Sequence, residues 1–171
     1  LCAEAVLDCL GMQGLSPKEI DHLIVVSTTG IATPSLDALL INQLDMRDDV
    51  LRTPIWGMGC AGGIAALARA VEFAKARPDS RIVVVAVELW TLTLMRNDFS
   101  KQNLIATSLF GDGAAAVLVA GDDQDGAGPA VVGHTVTTWP DTLDVMGWDF
   151  TDGGFRVVLS KAIPMIFRDH I

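Results

Sequence analysis

The sequence predicts an α/β fold with helices on both faces of a sheet, and three observations carry that prediction. Segments of helical period alternate with short Val-rich runs in the order α, β, α, β, α, β between Leu1 and Glu88. The runs HLIVVST (22–28) and RIVVVAVE (81–88) are apolar without alternation, as strands covered on both faces are. The 171 residues are 50% hydrophobic and 19% charged with only 7 Pro, enough for a core and incompatible with intrinsic disorder.

Residues 1–13 place their apolar side chains near helical period and close at Gly14, which sets a first helix. Ser16-Pro17-Lys18-Glu19 reads as a capped turn ahead of the 22–28 strand. A loop with Gly30 and Pro34 leads to a helix from Leu36 to about Met46, then to a strand TPIWGM at 53–58. A helix from Cys60 to about Ala76 stops before Pro78, and the 81–88 strand follows. Beyond it the texture changes. LFGDGAAAVLVAG (109–121) ends in a strand, DDQDGAGP (122–129) is a solvent turn, and AVVGHTVTTW (130–139) alternates like an antiparallel partner, which makes the sheet mixed. GFRVVLS (154–160) is a further strand, and Pro164 suits the first turn of a terminal helix. No short-period repeat or low-complexity linker divides the chain.

Charge excludes some functions. With 12 Lys plus Arg against 21 Asp plus Glu, the formal charge is −9 and both halves are acidic, so no nucleic-acid partner is expected. No apolar run reaches the roughly 20 residues that a bilayer requires, so no membrane span is expected. The opening LCAEAVLDCL lacks a basic segment and a Met, and the last helix is still open at Ile171; both suggest a piece of a longer chain, not a signal peptide. Three cysteines are too few for a disulfide framework, and the odd count suits a reducing, cytoplasmic setting.

The informative segment is Gly57-Met58-Gly59-Cys60-Ala61-Gly62-Gly63, at a strand-to-helix junction. Spaced as Gly57-x-Gly59-x-x-Gly62, it fits a dinucleotide-binding turn, with Glu88 closing the next strand where a ribose-binding acid would stand. Centred on Cys60, it fits a nucleophile flanked by residues without side chains, with a helix N-terminus favouring the thiolate and a backbone N–H available to an oxyanion. A hydrolase-type elbow wants Gly two residues before the nucleophile, and Met58 breaks it. The plain structural reading is a small apolar residue in a packed turn, and it holds outright for Cys2 and Cys9.

GMGCAGG together with VELWTLTL (87–94), SLFGDGAAAVLV, the loop STTGIATPSLD (27–37) and MGWDFTDGGFRVVLSKAIP (146–164) resembles the thiolase-like condensing enzymes, and among them the chalcone synthase-like type III polyketide synthases. The resemblance implies a thiolase-like fold, incomplete as given. Residues 1–171 would form part of one condensing domain, its N-terminal-type region extending into the start of the second half.

It also implies that Cys60 is acylated by a starter acyl-CoA and that malonyl-CoA, decarboxylating, extends it, with no metal or organic cofactor. Phe110 matches the family's gatekeeping aromatic, a role that stands beside that of an ordinary core ring. Trp90 and Thr93 match cavity-lining positions, and Trp90 would narrow the cavity. Val157 stands where plant enzymes carry a second gatekeeping Phe. Thr33 matches a residue that crosses a homodimer interface into the partner's cavity. The family's catalytic His and Asn have no counterpart within 1–171; His22, His134 and His170 match no catalytic motif and read as surface or packing residues.

Glu88 and Asp112 read as structural carboxylates, Asp112 as a GDG turn residue bonding backbone amides. Asp122, Asp123 and Asp125 form a solvated turn and not a calcium loop. Alternative readings remain: a 3-oxoacyl-acyl carrier protein synthase III-like enzyme, a non-catalytic thiolase-like scaffold, and an NAD-binding module.

Overall fold

A computed structural model describes residues 1–124 and 128–170, so Asp125 and Ile171 lie outside the described residues. The chain divides into two compact units, the first of Leu1–Glu88 and Gly113–His134, the second of Leu89–Asp112 and Thr135–Ile171.

The first unit contains α1 (Cys2–Gly11), β1 (His22–Val26), α2 (Leu36–Gln43), β2 (Leu51–Ile55), α3 (Gly62–Ala76), β3 (Arg81–Glu88) and β4 (Gly113–Ala120). Its sheet runs β2-β1-β3-β4, with β1 parallel to β2 and β3 and with β4 antiparallel to β3. The mixed α/β sheet expected from sequence is therefore present, and all of β1 is buried.

Side-chain parity assigns the helices to faces. Ile24, Val26, Ile82 and Val84 meet Ala66, Ala70 and Ala74 of α3, a four-residue-spaced alanine row that lets the helix approach closely. On the other face lies Leu118, opposite Val83, whose backbone contacts Cys9 of α1. Arg52, beside Leu23 on that same face, holds Asp37 of α2. Each fully buried Val or Ile here contributes about 1.5–3 kcal/mol relative to exposure.

The turn at Ser16 forms as read, a 3-10 turn over Pro17–Glu19 closed by a capping box in which the Ser16 N–H donates to Glu19 Oε2 at 2.8 Å. Two boundaries move. The second strand occupies Leu51–Ile55 and not 53–58, because Gly57 adopts φ +84 and breaks the extended chain. The third helix starts at Gly62, behind a separate 3-10 turn over Gly59–Ala61 that contains Cys60.

The strand expected at 130–139 is absent. Residues 131–138 are exposed, and the described hydrogen-bonding neighbour of β4 is β3, so this alternating stretch has no ladder to join.

The second unit contains α4 (Trp90–Thr93), α5 (Lys101–Leu109), β5 (Met146–Thr151), β6 (Gly154–Leu159) and α6 (Ile163–His170). The expected strand at 154–160 is present as β6, in an antiparallel hairpin with β5 closed between Thr151 and Gly154. Pro164 sits in the first turn of α6. No described helix is long and apolar enough to cross a membrane.

Candidate active site

In the first unit, Cys60 stands on the 3-10 turn that follows β2 and precedes α3. It is free and exposed, so the reading of a buried packing residue does not hold, whereas Cys2 and Cys9 are partly covered. The glycines around it have backbone explanations. Gly57 at φ +84 and Gly59 at φ +54 occupy left-handed conformations that disfavour any side chain. A Cβ on Gly62 would lie 2.6 Å from Val26 Cγ1, so this residue lets α3 close onto β1 immediately behind the cysteine.

Glu88, at the end of β3, is fully engaged. Its Oε1 accepts from the Thr28 N–H at 2.8 Å, and its Oε2 accepts from the Thr29 N–H at 3.0 Å and the Thr29 hydroxyl at 2.6 Å. The dinucleotide reading asked this carboxylate to bind a ribose; the protein's own donors already occupy both oxygens.

The same bonds anchor the start of the loop that carries Thr33. The Gly30 N–H adds a 2.9 Å bond to Ser27 Oγ, and the far end is held by Arg52, which donates to Ser35 Oγ at 3.0 Å and to the buried Asp37 carboxylate at 2.6 Å. Between these anchors Ile31, Ala32, Thr33 and Pro34 are exposed. A cavity of about 110 Å³ opens beside the loop, lined by Ile31, Ser35, Asp37 and Trp56; Cys60 is not part of its wall.

In the second unit the structure brings together Trp90, Phe110 and Val157. Trp90 and Val157 are buried with Ala106, and Phe110, Trp148 and Leu159 pack around them. The Trp90 ring lies 5.0 Å from Phe110 and stacks on Trp148 at 5.4 Å with 25° between planes; Trp148 in turn meets Phe155 at 5.8 Å. Thr93 is buried and its hydroxyl donates to the Trp90 carbonyl at 3.0 Å. Trp90 Nε1 is buried with no acceptor among the described residues.

One member of this assembly escaped the sequence reading, and another does what was expected of it and more. Trp148 sits on β5, which the two-residue Asp152-Gly153 connection could have revealed as half of a hairpin. Asp112 does more than close the GDG turn: it receives the Thr91 N–H on Oδ1 at 2.8 Å and the Thr91 hydroxyl on Oδ2 at 2.6 Å, and these bonds hold its carboxyl below the usual range.

Two of the histidines have structural surroundings. His22 is buried, edge-on to Phe73 at 4.5 Å, with Nε2 2.8 Å from Thr53 Oγ1. His134 lies 3.2 Å from Glu72, and His170 closes α6. No group of three potential metal ligands occurs among the described residues, and Asp122 and Asp123 lie in a turn.

Comparison with known proteins places this arrangement. Residues 1–123 match the family model described as chalcone and stilbene synthases, N-terminal domain. A 1,3,6,8-tetrahydroxynaphthalene synthase of Streptomyces peucetius subsp. caesius is 45% identical over 174 residues, covering 100% of this chain and 46% of its own. A putative chalcone synthase of Bacillus subtilis is 41% identical, covering 95% of this chain and 47% of its own. Among solved structures, the tetrahydroxynaphthalene synthase of Streptomyces coelicolor A3(2), described as a bacterial type III polyketide synthase, superposes with a TM-score of 0.92 at 33% identity, over 98% of this chain and 47% of that one. The chain thus spans about half the length of the relatives it matches. With a cysteine turn and aromatic cluster of this kind on a thiolase-like scaffold, the chain belongs to the chalcone and stilbene synthase family, of which it carries the N-terminal domain.

Proposed function

We propose that this protein is a type III polyketide synthase in which Cys60 is the nucleophile. The observation that carries the reading is an exposed cysteine on a turn with Gly59 directly before it and Gly62 and Gly63 just past Ala61, at a strand-to-helix junction of a chain in this family. The Cys60 thiolate attacks the carbonyl of a starter acyl-CoA and expels CoA thiolate, leaving an acyl thioester on the protein. Malonyl-CoA then loses carbon dioxide. The electron pair released forms a carbanion that attacks the thioester carbonyl and returns the cysteine thiolate.

The relatives support the substrate class. One is named 3,5-dihydroxyphenylacetyl-CoA synthase and several are named tetrahydroxynaphthalene synthase. Phe110, Trp90, Thr93 and Val157 would line the acyl pocket, and acyl-CoA and malonyl-CoA would enter as substrates without a cofactor. A cytoplasmic setting fits three unpaired cysteines.

A homodimer completes the proposal, with Thr33 reaching the partner's pocket. It is supported by the outer edge of β2, which pairs with no further strand among the described residues, and the exposed apolar side chains Ile31, Leu51 and Trp56 near it.

Mass spectrometry of the complete gene product after incubation with acyl-CoA, alone and with labelled malonyl-CoA, tests the reading. Acylation at Cys60 and labelled polyketide release, both abolished in Cys60→Ala, are the expected results. Extension that requires an acyl carrier protein would reassign the enzyme to the ketoacyl synthase III kind, and absence of any adduct would favour a scaffold.

A further inference from the structure

We propose that Asp112 is a positioning residue for the acyl pocket: by capping the Trp90–Thr93 turn it sets where the Trp90 indole stands, and thereby which acyl chains the pocket admits. The inference rests on the polyketide synthase reading above for the meaning of the pocket. Its structural half stands on geometry within the second unit alone.

The Trp90 indole has no polar anchor of its own. Its Nε1 is buried without an acceptor among the described residues, so the ring's place is determined by the rings beside it and by the backbone from which it projects. That backbone is a single helical turn, Trp90–Thr93, too short to be stable by propagation. Leu89, at its N-cap, offers no side-chain cap. The missing acceptor comes from 21 residues onward: Asp112 takes the Thr91 N–H and the Thr91 hydroxyl on separate oxygens, at 2.8 and 2.6 Å. The Thr93 hydroxyl closes the same turn from below through the Trp90 carbonyl.

Asp112 also lies two residues after Phe110, the ring that touches Trp90 at 5.0 Å. One carboxylate therefore ties together the backbones beneath both aromatic walls. Asp112 is exposed, and besides the Thr91 donors it accepts from the Trp90 backbone N–H, so it acts through the backbone of Trp90 and Thr91. A displacement of about 1 Å at a positioned group can cost on the order of a hundredfold in rate, which is the lever such a cap holds.

The test uses the complete gene product as wild type, Asp112→Ala, Asp112→Asn, Thr91→Val and Trp148→Phe. Two stacked indoles couple their transitions, so the far-ultraviolet circular dichroism carries an exciton band that Trp148→Phe should abolish and that reports ring geometry without reference to activity. Cys60 acylation by acetyl-, hexanoyl- and lauroyl-CoA gives kcat and KM for each chain length.

Asp112→Ala should diminish the exciton band and change the ratio of kcat/KM between lauroyl- and acetyl-CoA by about tenfold or more, the scale of discrimination a pocket gains from added methylenes. Asp112→Asn retains an acceptor for the Thr91 N–H and an amide group facing its hydroxyl, so it should restore both readouts. Thr91→Val, nearly isosteric, should give a partial loss and serves if Asp112→Ala does not fold. An unchanged band and unchanged chain-length ratio in Asp112→Ala, or in Thr91→Val if the alanine variant is insoluble, would overturn the proposal. A general loss of acylation with the ratio preserved would also overturn it, since that is what mere destabilisation does. If the wild type forms no acyl-enzyme, the polyketide reading fails, while the exciton band still decides whether Asp112 positions Trp90.

Discussion

Burial pushes the thiols of Cys2 and Cys9 up from their ordinary value. Since the thiolate is the reacting species, both are slow near neutral pH, and both are also less accessible than the exposed Cys60. Iodoacetamide should therefore label Cys60 first in the folded protein, and Cys60→Ala should remove the fast phase; a fast phase that survives this substitution would take the nucleophile role away from Cys60. His22 supplies a pH dependence. Burial lowers its pKa, with the positive charge of Arg77 adding to the effect. The unfolded chain then takes up the proton more readily than the folded one. Stability should fall as pH drops below the ordinary imidazole value of about 6.5, and the loss should level off below the lowered folded value. Urea midpoints measured from pH 8 to pH 5 should show this component, and His22→Gln should remove it.

At the scale of elements, the cysteine turn depends on how closely α3 approaches β1. Gly62→Ala would force a Cβ to within 2.6 Å of Val26 Cγ1, and Val26 is itself buried in its cluster, paired with Ile55 on one side and Ala86 on the other. Overpacking of this sort costs roughly 1–3 kcal/mol, more than the roughly 1 kcal/mol that Ala gains over Gly in a helix. The substitution should lower the thermal midpoint and slow Cys60 alkylation, whereas Gly63→Ala, whose Cβ would meet Ala86 at 4.0 Å, should do neither. This packing also explains what the sequence reveals. β1 and β3 were legible because strands covered on both faces need continuous apolar residues, and the glycines marked the cysteine turn because two of them sit at positive φ. The 130–139 stretch misled because alternation is also what an exposed segment can show; a strand needs a neighbour, and neighbours are not written locally. α5 was overlooked although Ser100 caps it by accepting from the Asn103 N–H, since its weakly amphipathic face gave no period to follow. The Trp90–Trp148 stack and the Asp112–Thr91 cap join residues 58 and 21 positions apart, beyond the reach of any local pattern.

At the scale of the whole molecule, the two proposed chemical steps make different demands. Acylation asks for a thiolate and a donor for the oxyanion, and in the proposed reading these are the exposed Cys60 and the backbone N–H groups at the start of α3. Decarboxylative condensation asks in addition for donors aimed at the enolate oxygen. The family resemblance assigns those to a His and an Asn, and neither His22, committed to Thr53 and Phe73, nor His134, beside Glu72, answers to them. Loss of one such donor typically costs about a hundredfold to a thousandfold. The two steps should therefore separate between two proteins, the 171-residue chain alone and the same chain extended to the length of its relatives. Both should carry an acyl group on Cys60 after exposure to acyl-CoA, the shorter one slowly, and only the extended one should release labelled polyketide from malonyl-CoA above the Cys60→Ala background. Polyketide turnover by the 171-residue chain alone would place the enolate-stabilising groups within these two units, and the search for them would begin with the buried indole N–H of Trp90, which has no acceptor among the described residues.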